Sequence, residues 1–328
     1  MFVFLSEQTK NTTPHQLRML NYRKLSEKPT QFLSLTSLTF DEFVVLLASF
    51  SDLWQYHMRY FTFAGKPRQR AYSEKKNAKL PETADKLFFL LYYLKNNPLQ
   101  ETLAANFDLD QPQANGYLQL YLPILEASLS AQKVLPIEKV THLKDYLETH
   151  QIKAIYQDGV EREIPRSTDY ETQKEYYSGK KKQHNVKNNV ITSDTAEVLF
   201  VSPTYEGKVH DKKISDELDL TLPVGTTIYQ DTGFQGYKPG GEDIKVMMPT
   251  KKPRKKEFTE EQKENNRKIS SVRVRVEHSI GGIKRIRILK EKIRHQKSEF
   301  RERLFLIGCG LHNFRLRFRP WTYQNLQT

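Results

Sequence analysis

Apolar residues recur at helical spacing in the first third of the chain. Four of them follow the i, i+3, i+4, i+7 pattern of one helical face, which predicts a helix from about 39 to 50. They are Phe40, Phe43, Val44 and Leu47. Residues 1–37 are mostly polar and show no such period, so we expect a loosely packed lead-in there.

Three more helices are predicted between residues 80 and 130. The first carries an apolar face over Leu87–Leu94 and should end near Pro98, because proline disfavours helix at the residue before it. The second covers Leu99–Phe107, and the third runs from about 112 to 129. Three short helices with tight turns are typical of a helix-turn-helix DNA reader, with the third helix in the major groove. An ordinary helical bundle gives the same pattern, and both interpretations stay open at this point.

Beyond Pro136 the pattern changes to short β-branched segments. It predicts strands at 152–157, 186–192, 198–202 and 226–230, with a helical piece at 210–218 before the fourth strand. Strands interspersed with helices predict an α/β domain, a mixed sheet flanked by helices, in an order similar to the ribonuclease H-like fold. We therefore expect this domain at 136–320, preceded by an all-α domain at 1–135 with its helix-turn-helix at about 80–130.

A polar, basic loop over 239–259 and a long helix through Glu277 follow the fourth strand. The pair Gly281-Gly282 costs that helix up to ~2 kcal/mol relative to alanine, so we predict a kink or an end there.

Three acidic residues carry the candidate chemistry. Asp158 and Asp231 follow the first and fourth predicted strands, whose ends would lie side by side, and Glu277 projects from the long helix. Carboxylates that converge repel one another unless a cation lies between them, and hard oxygen donors favour Mg²⁺, with Mn²⁺ as a substitute. Two such ions ~3.5 to 4 Å apart would support an in-line displacement at a phosphodiester.

Each acid also has a simpler interpretation. Asp158-Gly159 is by itself a hairpin turn signal, Asp231 could begin a turn, and Glu277 could form an exposed ion pair with Arg273. Singly these interpretations are favoured, whereas the three acids together favour catalysis. Asp211 is a rival for the second metal ligand, ranked below Asp231 because an aspartate at a helix start often only caps. Its neighbour His210 is a possible accessory residue.

Positive charge is concentrated rather than spread. The chain carries +13, and residues 251–301 hold 18 Lys and Arg against 7 Asp and Glu, a net +11. Such a stretch binds phosphate backbones through counterion release, although isolated charge runs are usually solvated surface. A second basic element combines 180–182 with Lys187. The candidate DNA-binding residues are Lys180, Lys181, Lys182, Lys251, Lys252, Arg254, Lys255, Lys256, Arg273, Arg275, Lys284 and Arg285.

Other classes of protein are disfavoured by composition. No apolar run has the ~18 to 20 residues of a membrane span, and the apolar start, Met1–Leu5, is too short for a signal peptide. The single cysteine, Cys309, is expected in a core, and zinc-ligand spacing is absent from the sequence. We therefore expect a cytoplasmic protein.

The motifs in this order resemble the DDE transposases of bacterial insertion sequences, in the insertion sequence 5 group, which are related to the Harbinger transposases. The resemblance covers about residues 80–316. It rests on Asp158-Gly159, Tyr-Tyr-Ser-Gly-Lys-Lys-Lys-Gln-His at 176–184, Gly-Lys-Val-His-Asp at 207–211, Tyr-Gln-Asp-Thr-Gly-Phe-Gln-Gly at 229–236, and the run at 266–278 that ends Val-Arg-Val-Glu-His.

The resemblance implies that Asp158, Asp231 and Glu277 form the acidic triad, accompanied by the cations Arg273 and Lys284 of the same helix. Many relatives place Tyr three residues before that arginine, where this chain has Ser270, and we expect altered packing rather than lost catalysis.

The function that this resemblance implies is DNA transposition. The expected partners are double-stranded DNA, as terminal inverted repeats and as target, and further copies of the chain in a dimer or larger assembly. Two alternatives are a domesticated, non-catalytic DNA-binding protein and a ribonuclease H-like endonuclease without joining activity.

Overall fold

The computed structural model describes residues 20–74, 76–252 and 257–321. The helices are α1 (Tyr22–Ser26), α2 (Pro29–Thr36), α3 (Phe40–Tyr60), α4 (Thr83–Asn96), α5 (Gln100–Asn106), α6 (Gln111–Ala131), α7 (Val140–Thr149), α8 (Tyr170–Tyr176), α9 (Asp211–Leu218), α10 (Glu260–Ile283), α11 (Arg287–Lys290) and α12 (Ser298–Phe318). The strands are β1 (Ala154–Glu163), β2 (Tyr177–Ser178), β3 (Gln183–Thr192), β4 (Val198–Val201), β5 (Tyr205–Glu206), β6 (Thr227–Tyr229) and β7 (Lys245–Met247).

The first predicted helix is longer than its sequence pattern indicated. α3 begins with a capping box between Thr39 and Glu42, and it continues past residue 50 to Tyr60. Its later apolar residues Trp54 and Met58 are buried like the earlier ones. The helix extends because this face still has neighbours to pack against, among them Tyr121 of α6, whose ring centroid lies 5.5 Å from that of Trp54.

The lead-in prediction is wrong for residues 20–37. Phe32 of α2 is fully buried and contacts the rings of Phe40, Phe43 and Phe88 at centroid distances of 5.7, 5.2 and 5.9 Å. The helix has eight residues, too few for a periodic signal to stand out. Residues 1–19 of that prediction lie outside the described part of the chain.

The three helices predicted between 80 and 130 correspond to α4, α5 and α6. α4 ends at Asn97, which takes the left-handed conformation with φ 47°, and α6 begins with a capping box between Asp110 and Gln113. α4 is buried on most sides, and even Lys86 is covered, its Nζ donating to Leu80 O at 2.7 Å. α5 keeps Glu101, Thr102 and Ala105 exposed, and α6 keeps Gln113, Gly116 and Gln119 exposed, so both of these helices have a face that can meet a partner.

The predicted mixed sheet flanked by helices is confirmed. β1 pairs antiparallel with β3 and parallel with β6; β3 pairs antiparallel with β2, β4 and β5, and β6 pairs parallel with β7. The predicted strands are β1, β3, β4 and β6. β2, β5 and β7 were not predicted, because two or three residues are too few to show alternation. β7 falls inside the predicted loop at 239–259.

The predicted end of the first strand at Asp158-Gly159 is wrong. β1 continues to Glu163, and its register pairs Asp158 with Val190 and Gly159 with Asn189. The local turn signal is overridden because β3 supplies a partner along the whole strand. Asp158 therefore lies in the middle of a strand.

Alternation along β1 sorts its side chains onto two faces of the sheet. Tyr156 and Val160 belong to the larger hydrophobic core, which also contains residues of α10 and α12. Ile155 belongs to the smaller core on the opposite face, with Leu143 of α7 and Ile228 of β6. Asp158 thus shares the α10 face.

The predicted helix end near Gly281-Gly282 is confirmed to within one residue, since α10 ends at Ile283. A Cβ built on Gly282 would lie 2.2 Å from Nδ1 of His312 on α12. Gly282 therefore permits two helices to approach closely.

The larger core joins α1–α6 to α10–α12. Polar contacts also join the C-terminal helices to the N-terminal part of the chain. Arg319 binds both carboxylate oxygens of Glu42 at 2.7 and 2.8 Å, and Asn313 Nδ2 donates to Val134 O at 3.0 Å. In the described ranges no single helix has the length and apolarity to cross a membrane; α2 and α3 pass that test only as a pair bent by 53°.

Candidate active site

Asp158 and Asp231 lie at equivalent positions on two neighbouring parallel strands. Tyr156 of β1 pairs with Tyr229 of β6, and their rings stack at a centroid distance of 5.0 Å. Each aspartate comes two residues after its tyrosine, at the point where β6 has ended. The two carboxylates, 73 residues apart in the chain, therefore lie near each other at the edge of β1.

The environment of Asp158 disfavours its charged form. Burial raises the pKa of this carboxyl to about 6, and the nearby charges of Asp231 and Asp211 act in the same direction. Two contacts oppose them: Arg273 Nη2 lies 3.5 Å from Asp158 Oδ2, and Gly159 N donates to Oδ1 at 2.8 Å. An added cation would stabilise the carboxylate.

Asp231 has both of the roles considered from the sequence. Its Oδ1 accepts from Gly233 N at 2.7 Å and caps the short 3-10 turn Thr232–Phe234. Its charge still acts on Asp158. Capping a turn and belonging to an acidic site are therefore compatible for this residue.

Asp211 lies close to Asp158 and Asp231 but comes from the other side of the sheet. It is the first residue of α9, after the exposed N-cap residue His210. A Cβ built on Gly159 would lie 2.6 Å from Asp211 Oδ1, and one built on Gly233 would lie 3.2 Å from Oδ2. Lys187 Nζ lies 3.1 Å from Oδ1 as an ion pair without hydrogen-bond geometry.

Glu277 has different surroundings. It lies on α10 one turn after Arg273, is exposed, and lines a cleft of 470 Å³ together with Arg285 and Arg315.

The acids of this site fit a hard divalent cation in the chemistry of their oxygens. Asp158, Asp211 and Asp231 offer carboxylate oxygens, and the missing side chains of Gly159 and Gly233 leave room beside them. Asp211 Oδ1 is buried and accepts no hydrogen bond. Across the described ranges, no three His, Cys, Asp or Glu side chains stand close enough as they are to enclose an ion.

Two of the predicted cationic positions border the acids. Lys284 follows α10 and lies near Asp158, Glu161 and Lys181; burial lowers the pKa of its ammonium, and Lys181 adds to that effect. Residues 180–182 form an exposed turn between β2 and β3. The rim of the site is therefore basic.

Lys187, predicted as part of a basic element, is instead buried inside the site. Its side chain is 8% exposed, donates to Val209 O at 2.9 Å, and lies 3.8 Å from Glu161 as well as beside Asp211. Lys187 neutralises acids of the chain and presents no charge to the surface.

The remaining predicted cations are dispersed. Arg275 donates to Tyr156 Oη at 2.9 Å, while Lys251 and Lys252 are exposed and Lys252 pairs with Glu257 at 2.7 Å. Arg285 is exposed in the cleft beside Glu277. Arg254, Lys255 and Lys256 lie outside the described residues.

The sequence reasoning missed a buried hydrogen-bond network beneath the acids. Gln230 Nε2 donates to Gln157 Oε1 at 2.6 Å, and Gln157 Nε2 donates to Ser215 Oγ of α9 at 2.8 Å. Asn189 Nδ2 donates to the same hydroxyl at 3.0 Å and to Asp211 O at 2.9 Å. Glutamines directly before both aspartates, in otherwise apolar strands, were the available signal.

Residues 157–313 match the family described as DDE superfamily endonuclease. The chain is also 27% identical over 157 residues to a probable transposase for insertion sequence element IS702 from Microchaete diplosiphon. That match covers 48% of this chain and 56% of the relative, so the chain spans about half the length of the relative it matches. No solved structure matches the chain. The second half of the chain is therefore similar to endonucleases of this family and to a probable transposase.

Proposed function

We propose that this chain is a DNA transposase, because residues 157–313 match the family described as DDE superfamily endonuclease. It binds the terminal inverted repeats of its element, cleaves the DNA there, and joins the 3′ ends to target DNA as a dimer or larger assembly. The observation that carries the proposal is that Asp158 and Asp231 lie near each other at one strand edge, next to Arg273 of α10. The strand arrangement, antiparallel β1, β3 and β4 followed by parallel β6 and β7, supports a ribonuclease H-like fold.

Asp158, Asp231 and Glu277 are the proposed catalytic acids, and Mg²⁺ is the proposed cofactor, as two ions that Mn²⁺ can replace. When bound, the metal stabilises the attacking and leaving oxygens of the displaced phosphodiester. Asp158 and Asp231 hold the positive charge at the strand edge. Glu277, one turn from Arg273, lies exposed in the neighbouring cleft and would have to turn toward the strand edge to add its carboxylate.

The chain's cations hold the substrate in this proposal. Arg273 orients Asp158 through their 3.5 Å contact, and Lys284 with the turn at 180–182 attracts phosphates to the rim. Lys251 and Lys252 extend the basic surface along the segment before α10. The protein acts in the bacterial cytoplasm, at the nucleoid.

In this proposal α5 and α6 form a helix-turn-helix that recognises the DNA sequence. Gln113, Gly116 and Gln119 are exposed at a spacing of three residues and form one open face of α6. Glutamine amides can bond two atoms of an adenine edge, whereas lysines and arginines mainly hold the backbone.

Asp158→Asn and Glu277→Gln test the catalytic proposal. Both variants should shift a labelled inverted-repeat end in a gel as the wild type does, and both should fail to cleave or join it in Mg²⁺, because one ligand charge is lost. Asp145→Asn, at an exposed position of α7, is the matched control and should keep all activities. The readout is the yield of nicked and joined products.

Other outcomes of that assay would point to the alternatives. A wild-type protein that shifts the DNA without cutting it is a non-catalytic binder. One that nicks but never joins is an endonuclease without strand transfer. Full cleavage by both acid variants would contradict the assignment of the acids. Short inverted repeats flanked by a direct duplication around the coding gene would support transposition independently.

A further inference from the structure

We propose that Asp211 is a metal-binding residue of the same site, reaching Asp158 and Asp231 from the opposite face of the sheet through the space left by Gly159 and Gly233. The inference rests on the proposed function, since it adds a carboxylate to the acids named there. Asp211 lies 53 residues after Asp158 in the chain and on a different element, α9.

Two glycines from separate parts of the chain leave room for this one carboxylate. Gly159 lies on β1, and its built Cβ would meet Asp211 Oδ1 at 2.6 Å and Cγ at 3.0 Å. Gly233 lies in the turn after β6, and its built Cβ would meet Asp231 Oδ1 at 2.8 Å and Asp211 Oδ2 at 3.2 Å. Oxygens of Asp211 and Asp231 therefore lie within 3.2 Å of one point.

The glycines have no other evident reason to be glycine. Neither Gly159 nor Gly233 has a positive φ, so alanine is compatible with both backbones. What excludes a side chain is the carboxylate itself. Gly159, which looked like part of a turn signal in the sequence, thus lets the Asp211 carboxylate pack closely against β1.

α9 is fixed to the sheet in a way that holds Asp211 in place. Asn189 of β3 donates to the backbone oxygen of Asp211 at 2.9 Å, and Ser215, one turn further along α9, accepts from both Asn189 and Gln157. Donors on fully or nearly fully buried side chains determine which way the helix start points. They are positioning residues for Asp211.

The competing role for Asp211 is structural, as the partner of Lys187. One oxygen, Oδ1, faces Lys187 Nζ at 3.1 Å. The other, Oδ2, lies on the side of Gly233 and Asp231. A purely structural ion pair explains the first contact and gives no reason for the second.

Mn²⁺ binding to the full chain without DNA separates these roles. The free-ion signal is followed by electron paramagnetic resonance as Mn²⁺ is titrated. Asp211→Ala and Asp231→Ala should each weaken Mn²⁺ binding at least tenfold. Asp216→Ala is the matched control, since Asp216 is an exposed acid of the same helix, and it should bind like the wild type. Asp211→Asn, which keeps the size and loses the charge, decides the question if the alanine variant fails to fold.

A double-mutant cycle tests whether the close contact between Gly159 and Asp211 matters for Mn²⁺ binding. Gly159→Ala should displace the Asp211 carboxylate and weaken Mn²⁺ binding, whereas adding Gly159→Ala to Asp211→Ala should cause no further loss. Gly281→Ala, where a Cβ meets nothing within 4 Å, is the glycine control.

Wild-type Mn²⁺ affinity in Asp211→Ala or Asp211→Asn, with affinity lost in Asp231→Ala, would overturn the inference and leave the transposase proposal standing. The absence of cleavage and joining by the wild type in the DNA assay would overturn the transposase proposal, whatever the Mn²⁺ titration shows. Equal Mn²⁺ binding by all the acid variants would overturn the inference as well.

Discussion

Gly281 and Gly282 differ in the space that surrounds each of them. Gly281 and Gly282 are neighbours within α10, yet a Cβ on Gly281 would meet nothing within 4 Å while one on Gly282 would overlap the His312 ring. Both residues lower helix propensity equally. The tertiary contact, not the local propensity, decides what each substitution costs.

Alanine at these two positions should therefore shift stability in opposite directions. Gly281→Ala should stabilise the protein by about 0.5 to 1 kcal/mol, because alanine favours helix and has free space. Gly282→Ala should destabilise it by about 1 to 3 kcal/mol through overpacking. Urea unfolding of the two variants measures both; equal effects of the same sign would contradict the close approach of α10 and α12.

At the scale of elements, α12 is held by a histidine that must remain neutral. His312 is almost fully buried, and its Nε2 lies 2.9 Å from Ala196 O in the segment before β4. Burial lowers the pKa of His312 to about 4, and the positive charge of Arg315 acts in the same direction. Burial therefore favours the neutral ring, whose proton must be on Nε2 to donate to Ala196 O.

The stability of the protein should depend on pH through this residue. The unfolded chain protonates His312 near its ordinary pKa of 6.5, and the folded chain only near 4. The stabilisation is thus fully present above about pH 6.5 and is lost as pH falls towards 4, a difference of about 3 kcal/mol.

His312→Asn measures that contribution. The difference in free energy of unfolding between wild type and variant, from urea titrations at several pH values, should shrink below pH 6.5. Carboxylates titrate in both proteins and cancel in the difference. Parallel curves from pH 7.5 to 4 would contradict a neutral buried ring.

For the whole molecule, the notable property is one core shared by segments predicted as two domains. Arg319 of the α12 end holds Glu42 of α3, and Arg315 Nη1 donates to Ser37 Oγ. Apolar residues of α1–α6 and α10–α12 are contiguous. Such packing should make the two segments unfold together.

Glu42→Ala should lower the stability of the entire protein in a single transition. It removes a 1% exposed carboxylate that binds Arg319 and caps α3, at a cost of about 2 kcal/mol, moderated because Arg319 remains partly solvated. Trp54 fluorescence, in a Trp321→Phe background, and far-ultraviolet circular dichroism should give coincident curves. Asp41→Ala, at an exposed first-turn acid of α3, is the control. Two separated transitions would favour independent domains.

The sequence alone was sufficient for the long elements and for the placement of Asp158 and Asp231 along the chain. Apolar residues at a helical period located α3, α4 and α6, and β-branched runs located β1, β3, β4 and β6, because these patterns reflect contacts within a few residues along the chain. The same signal identified Asp158 and Asp231 as residues at adjoining strands.

Tertiary structure alone decided the surroundings of each side chain. Because of tertiary contacts, β1 continues past the turn signal at Asp158-Gly159, and Lys187 is buried between acidic side chains. Asp211 packs against Gly159, and Glu277 stays exposed in a neighbouring cleft. These outcomes depend on partners tens to hundreds of residues away. No local period encodes them, since burial and charge are set by whichever distant residues the packed core brings alongside.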